Sequence, residues 1–321
     1  MKSNILRFLI LMMCLPVVFN SISCGTGRMK RTASHKIESY RESLDVLRDS
    51  LTAIAASYPG EIGIAIIVNG HETIAVNDRD VYPLMSVFKL HQAIALCHEF
   101  EKNDISIDTL IDIDRSTLNP DTWSPMLKEH PEPHFMLSAK DLMRYTLIKS
   151  DNNASNLMFD RLVDVARTDN FISTLVPRNG FRISLREDDM GRDHSLSYSN
   201  HSSPSSTAIL LDKLFNDSII STYNQRFICN VLGECATGTD RISAPLSDKK
   251  GVSVAHKTGS GYRNDNGLLI AHNDAAHIML PDGRHYTLVV FIKDFAGDEK
   301  AASTVISRIS AITYNFITSK I

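Results

Sequence analysis

Apolar positions recur at helical spacing between Lys36 and Ser57, where Ile37, Leu44, Leu47, Leu51 and Ile54 share one face. This predicts an amphipathic helix, which Pro59-Gly60 ends. Two β-rich runs follow, Glu61 to Val68 and His71 to Val76, joined by Asn69-Gly70, the strongest short-range hairpin signal. From Ser86 to about Cys235 the period becomes helical. Val87, Leu90, Ile94, Cys97 and Phe100 stripe one helix, and further helical runs cover Leu142 to Ile148, Ala154 to Val165 and Ala208 to Phe215. Two irregular polar stretches interrupt this block, Asn119 to Pro133 and Arg182 to Ser205. The second is long for a connection inside a compact domain, and such loops are often functional. Strand signals return after Gly238, at Val252 to His256, Ala275 to Leu280 and, beyond the turn Pro281-Asp-Gly283, His285 to Ile292. Ala301 to Ile317 closes the chain as a helix with Val305, Ile309, Ile312 and Phe316 on one face.

The order helix, two strands, helical block, three strands, helix predicts an α/β fold of the α+β kind. An antiparallel five-stranded sheet, built from both ends of the chain and flanked by the N- and C-terminal helices, would carry an inserted all-α domain. The sheet domain is then discontinuous, residues 37–84 and 236–321. Residues 85–235, with their loop 182–205, form the helical domain, and the active site lies between the two.

Composition agrees with a globular protein. The 321 residues are 43% hydrophobic and 22% charged, enough for one large core or two smaller ones. With a net charge of −3 and no basic run, a nucleic-acid partner is not expected. The N-terminus departs from the rest: Lys2 and Arg7 precede an apolar stretch from Phe8 to Phe19, interrupted by Pro16, then Ser21-Ile-Ser-Cys24-Gly25. Residues 1–24 read as a secretory signal, too short to be a good membrane span, that ends on a lipoprotein-like cysteine, with residues 25–36 as a tether. Export to the periplasm follows, with a lipid on Cys24 or plain cleavage both open. Cys97 reads as a small buried hydrophobe, and Cys229 and Cys235 as free thiols or a pair. No CxxC, HxH or HExxH occurs, so no metal site and no cofactor is expected.

The candidate chemistry lies in three short signatures in one order: Ser86-Val-Phe-Lys89, Ser150-Asp-Asn152 and Lys257-Thr-Gly259. A serine hydroxyl is a weak nucleophile that needs a base beside it, and at i and i+3 of a helix Ser86 and Lys89 share a face. Near the helix start, free N–H groups favour the negative charge that develops there. Desolvation and a second cation, Lys257, would both lower the Lys89 pKa towards a usable base. Singly the motifs are cheap. A second Ser-x-x-Lys stands at Ser247-Asp-Lys-Lys250 in a polar turn, Ser150-Asp-Asn reads as a helix N-cap, and Lys257-Thr-Gly as a strand end followed by a turn. Placed in this order on helix start, loop and strand end, they point to acyl transfer.

With these motifs the chain resembles a class A β-lactamase, of the extended-spectrum, cephalosporin-favouring branch of anaerobic and environmental Gram-negative bacteria. The similarity runs from about Ile37 to the C-terminus, most specifically in Ser150-Asp-Asn-Asn-Ala-Ser-Asn-Leu, Val254-Ala-His-Lys-Thr-Gly-Ser-Gly, Asn273-Asp and Leu280-Pro-Asp-Gly. The resemblance implies that Ser86 is acylated, that Lys89 and Ser150 relay its proton, and that Asn152 holds the substrate side-chain amide. It implies that Lys257, Thr258 and Ser260 bind the substrate carboxylate, with the N–H groups of Ser86 and Ser260 as oxyanion hole. Trp123, the only tryptophan, stands where the family has an aromatic at the cleft mouth, a core tryptophan being the other reading. Arg241 resembles an arginine that supplements the lysine in some branches.

Hydrolysis depends on the deacylating base. In Arg186-Glu187-Asp-Asp-Met190-Gly191, Glu187 fits the family glutamate, while Gly191 departs from the usual asparagine and Leu185 from an arginine that pins the loop. A register shift to Asp188 and a merely solvated acidic loop are the alternatives. The resemblance implies a monomeric enzyme acting on a small β-lactam, without cofactor. A D,D-peptidase sharing the three motifs and a non-hydrolytic β-lactam sensor are the competing functions.

Overall fold

Both faces of the first strand are buried, so it packs against a layer on each side rather than facing solvent. The computed structural model describes residues 42–79 and 82–320; the expected signal (1–24), the tether (25–36) and the start of the first helix lie outside the described residues. Helix α1 (residues 42–56) leads into β1 (Glu61–Val68) and β2 (Glu72–Val76). The hairpin forms where expected. Asn69 and Gly70 both take positive φ, 48° and 74°, and the His71 N–H donates to the Val68 carbonyl at 3.0 Å.

The middle of the chain opens with the short β3 (Tyr82–Pro83), then a 3-10 turn (Met85–Val87) and α2 (Phe88–Lys102). Next come β4 (Leu110–Asp114), α3 (Pro125–Glu129), β5 (His134–Ser138), α4 (Ala139–Ile148), α5 (Asn152–Arg161) and α6 (Val165–Ile172). β6 (Phe181–Arg182), α7 (Glu187–Arg192), β7 (His201–Ser202), α8 (Pro204–Asn216) and α9 (Thr222–Gly233) complete it. The chain returns through β8 (Ser253–Ser260), β9 (Leu269–Met279), β10 (His285–Phe295) and α10 (Glu299–Lys320).

The main sheet has five antiparallel strands in the order β2-β1-β10-β9-β8, so the two ends of the chain do build it together. Strand alternation feeds two cores. Ile62, Ile64, Ile66 and Val68 of β1 pack with Leu47 and Leu51 of α1 and Val305 and Ile309 of α10. Ala65 and Ile67 point the other way, into a core shared with Phe88, Leu90, Leu210 and Leu214. The segment 85–235 is mainly helical and also holds the short ladder β4-β5, while its β6 and β7 form a three-stranded ladder, β3-β7-β6, with the preceding β3.

Two strand boundaries differ from the periodicity reading. β8 continues through Lys257-Thr-Gly to Ser260, and β9 begins at Leu269, before the apolar run. His272, Asn273 and Asp274 hide that start because they are polar yet buried, each with a partner: Ser303, the Pro83 carbonyl and His256. The single helix expected over 154–165 is two, broken where Asp164 caps α6 by accepting the Arg167 N–H at 2.8 Å. Cys97, Cys229 and Cys235 are all free thiols, so the pairing of Cys229 with Cys235 left open by the sequence does not form.

Candidate active site

Ser86 lies in the 3-10 turn ahead of α2, one residue after Met85, whose φ of +44° is a strained conformation for a residue with a side chain. Three residues on, Lys89 is fully buried. Its ammonium donates to the Ser150 carbonyl at 2.9 Å and to Asn152 Oδ1 at 2.7 Å, and pairs with Glu187 Oε1 at 2.9 Å. All three of its protons therefore have acceptors, which is what a buried cation requires. Ser86 Oγ donates to the same Glu187 Oε1 at 2.8 Å. The neighbouring Asp188 instead accepts from Asn119 Nδ2 at 3.0 Å. The structure thus brings Glu187, and not Asp188, to Ser86.

Ser150 follows α4 with φ +57°, and Asp151 caps α5. The buried Asp151 carboxylate also accepts the Ser124 hydroxyl and the Met126 N–H, tying the α3 region to this turn. Asn152 Nδ2 donates to Thr122 Oγ1 at 2.9 Å, while Trp123 Nε1 donates to the Lys149 carbonyl at 2.9 Å. Trp123 is 56% exposed at the cleft, which removes the core-tryptophan reading.

From β8, Lys257 Nζ reaches Ser150 Oγ at 3.0 Å and the Thr258 carbonyl at 2.9 Å. Burial pushes its pKa down to about 7; the Lys89 and Arg241 cations act the same way, against Cys235 and Glu187. Thr258 Oγ1 lies 2.6 Å from Thr237 Oγ1. Arg241, buried, donates to Ser260 Oγ at 2.6 Å and to the Asn273 carbonyl at 2.7 Å. β8 borders the sheet, and the Gly261 N–H turns inward to the Ala271 carbonyl, so the Ser260 N–H faces away from β9, on the free side of the strand.

Every residue singled out from the sequence lines one cleft of about 510 Å3, apart from Lys89 and Lys257, which are fully buried and touch its walls. The second Ser-x-x-Lys, at Ser247, is absent from that lining; its hydroxyl only caps the Ala244 carbonyl.

Sequence reading missed the loop's fastenings. With leucine at position 185, the neck is held by Asn200, whose Oδ1 accepts from Ser184 N at 2.8 Å and Leu185 N at 3.0 Å while Nδ2 donates to the Leu185 carbonyl. Asp169, buried, pairs with both Arg178 and Arg182 and accepts the Ile183 N–H. Gly191 leaves space: the nearest atom to a Cβ there is the Tyr262 hydroxyl at 3.8 Å. Among the described residues no group of acidic, His or Cys side chains has metal-site geometry, and no helix is long and apolar enough to cross a membrane.

Residues 46–317 match a sequence-family model described as the β-lactamase enzyme family. A β-lactamase of Phocaeicola vulgatus is 54% identical over 273 residues, 85% of each chain. Among solved structures, the TLA-3 extended-spectrum β-lactamase superposes with a TM-score of 0.82 at 29% identity, over 86% of this chain and 99% of its own. A class A β-lactamase from Bacteroides cellulosilyticus superposes at 0.81 with 27% identity, over 86% and 99%. A serine set on a strained turn and a carboxylate 2.8 Å from it fit the chemistry of these relatives, and the chain belongs to the class A serine β-lactamases.

Proposed function

We propose that this enzyme opens β-lactams through an acyl-enzyme on Ser86 and releases it with water activated by Glu187, favouring cephalosporins. The observation that carries the reading is the Ser86 Oγ–Glu187 Oε1 hydrogen bond of 2.8 Å. A carboxylate so placed takes the Ser86 proton as the hydroxyl attacks the lactam carbonyl, and the developing oxyanion accepts the Ser86 and Ser260 N–H groups. The C–N bond then breaks: Ser150 Oγ, which Lys257 holds at 3.0 Å, gives its proton to the leaving nitrogen and is re-protonated from Glu187 by way of Lys89, which restores the carboxylate. Lys89, paired with Glu187 at 2.9 Å, holds the carboxylate in place. In the second half Glu187 takes a proton from water. The hydroxide attacks the ester, and Ser86 leaves with its proton restored.

Lys257, Thr258, Ser260 and Arg241 form the cradle for the substrate carboxylate, a cation with hydroxyl donors beside it. Asn152 presents its amide to the substrate side chain, and Trp123 flanks the entrance. The cephalosporin preference is supported by the likeness to an enzyme described as extended-spectrum. We further propose export to the periplasm through residues 1–24, action as a monomer, and attachment to a membrane only through the signal or a lipid on Cys24.

The test uses purified protein with nitrocefin. Turnover is expected to disappear in Ser86→Ala; Glu187→Gln, acylated more slowly through Lys89 and no longer deacylated, is expected to accumulate an adduct of substrate mass on Ser86. Normal turnover by Glu187→Gln would remove the deacylation role. A stable adduct on the wild type would favour a D,D-peptidase or sensor.

A further inference from the structure

Behind the cleft, three elements bring a thiol, an imidazole and a carboxylate together. Cys235, partly exposed just after α9, has its Sγ 3.4 Å from Thr237 Oγ1, and the His256 side chain on β8 acts on it electrostatically. His256 is buried, with Nδ1 3.0 Å from Asp274 Oδ1 and 3.2 Å from Oδ2 on β9. Asp274 is itself fully buried and also accepts the Ile242 N–H. With Nδ1 committed to the carboxylate, the ring is held in one orientation near the thiol. A carboxylate that fixes and charges an imidazole beside a cysteine is the arrangement that activates sulfur nucleophiles.

We propose that Cys235 is a nucleophilic modification site for soft electrophiles and small disulfides, activated by the His256–Asp274 pair, and that an adduct there disturbs the strand bearing Lys257 and Thr258. Sulfur attacks one sulfur of a disulfide. The new bond forms at Cys235, the old S–S bond breaks, and the departing thiolate takes a proton from water, with no net oxidation. With iodoacetamide the S–C bond forms and iodide leaves.

The surroundings favour the thiolate. Burial alone would raise the Cys235 pKa, but the nearby His256 side chain, the charge of Lys257, and Thr237 bring it down to about 7. Burial likewise opposes the charge on His256, yet Asp274 and Cys235 push it up to about 10. The other charged groups near this cluster are Arg241 and Asp240 on the segment before β8. The remaining two thiols are opposite in character: burial raises Cys97, and pushes Cys229 up to about 12.

The adduct reaches the site by a short route. Thr237 touches Cys235 on one side and Thr258 on the other, at 2.6 Å, and Lys257 directly follows His256. This second part rests on the carboxylate-binding role proposed for Lys257 and Thr258; the reactivity of Cys235 does not.

The experiment treats the purified protein with iodoacetamide between pH 5 and 9 and follows occupancy of each cysteine by peptide mass spectrometry, alongside nitrocefin turnover. Cys235 is expected to react at least about tenfold faster than Cys229 at pH 7. Its rate there should be about half the alkaline plateau, where an ordinary thiol reaches about 3%. Turnover should fall at least about fivefold in step with Cys235 occupancy, while Cys235→Ser keeps its turnover after the same treatment. Equal labelling of Cys229, or a midpoint above about 8, would overturn the site, whether or not a His256→Gln variant folds. Full occupancy with unchanged turnover would overturn the coupling. A wild type that never turns over nitrocefin would strike at the proposed function instead, leaving the labelling result to decide the site.

Discussion

Gly259 packs against Leu84 so closely that a Cβ on the glycine would fall 2.5 Å from the Leu84 carbonyl oxygen. The same Cβ would meet Met85 and Val87, at 3.1 and 3.2 Å, on either side of the nucleophile. The third residue of Lys257-Thr-Gly is therefore fixed by the approach of β8 to the turn bearing Ser86. Gly259→Ala is expected to keep the fold, cost about 1–3 kcal/mol by overpacking, and lower kcat/KM by about 100-fold because the turn and strand must separate. Thermal denaturation and steady-state kinetics on one preparation check this. Unchanged kinetics would show that the turn yields without moving Ser86.

Lys257 supplies a pH dependence. Burial lowers its pKa to about 7, so the free enzyme loses this cation as pH rises through that value. Below it the ammonium is charged and ready for a carboxylate; above it kcat/KM for a carboxylated β-lactam is expected to fall, approaching about tenfold per pH unit. Bound carboxylate favours the charged form, so kcat should hold to higher pH. A kcat/KM profile flat from pH 6 to 9 would contradict this.

Arg241 holds Ser260 and the Asn273 carbonyl with a buried fork. Lysine keeps the charge but loses the second arm. Arg241→Lys is expected to raise KM about tenfold or more with a smaller change in kcat, read from nitrocefin kinetics. A fall in kcat alone would place Arg241 outside substrate binding.

The loop carrying Glu187 is fastened at its neck by Asn200. Asn200→Ala leaves backbone groups of Ser184 and Leu185 without partners, a loss of about 2–3 kcal/mol. Deacylation should slow more than acylation, so rapid-quench mass spectrometry should find more acyl-enzyme at steady state than in wild type. Equal slowing of both steps would mean that the neck supports the whole cleft rather than Glu187.

These cases show why part of the molecule is legible in its sequence. Periodicity exposes α1, the β1-β2 hairpin and α10 because their burial is one-sided or ends in a turn such as Asn69-Gly70. It loses the start of β9, where His272, Asn273 and Asp274 look like surface and lie inside. Ser86, Lys89, Ser150 and Lys257 stand in short fixed spacings and can be read directly. Asn200, Asp169 and Thr237 act through hydrogen bonds and ion pairs to groups outside any short motif, which leave no spacing to read. Glu187 lies between these cases: its residue type suggests a base, but that it, and not Asp188, lies beside Ser86 is read only from their partners in the fold.

The hydrogen bond from Ser86 to Glu187 spans 101 positions of sequence, that from Lys257 to Ser150 spans 107, and Asn273 reaches back 190 to Pro83. No short contiguous fragment contains these partners, and closing such loops is slow because their entropy is lost before the contacts form. The nascent chain is therefore expected to be inert towards β-lactams until its last strands have joined its first. Appearance of turnover during refolding is then a clock for completion of the whole sheet.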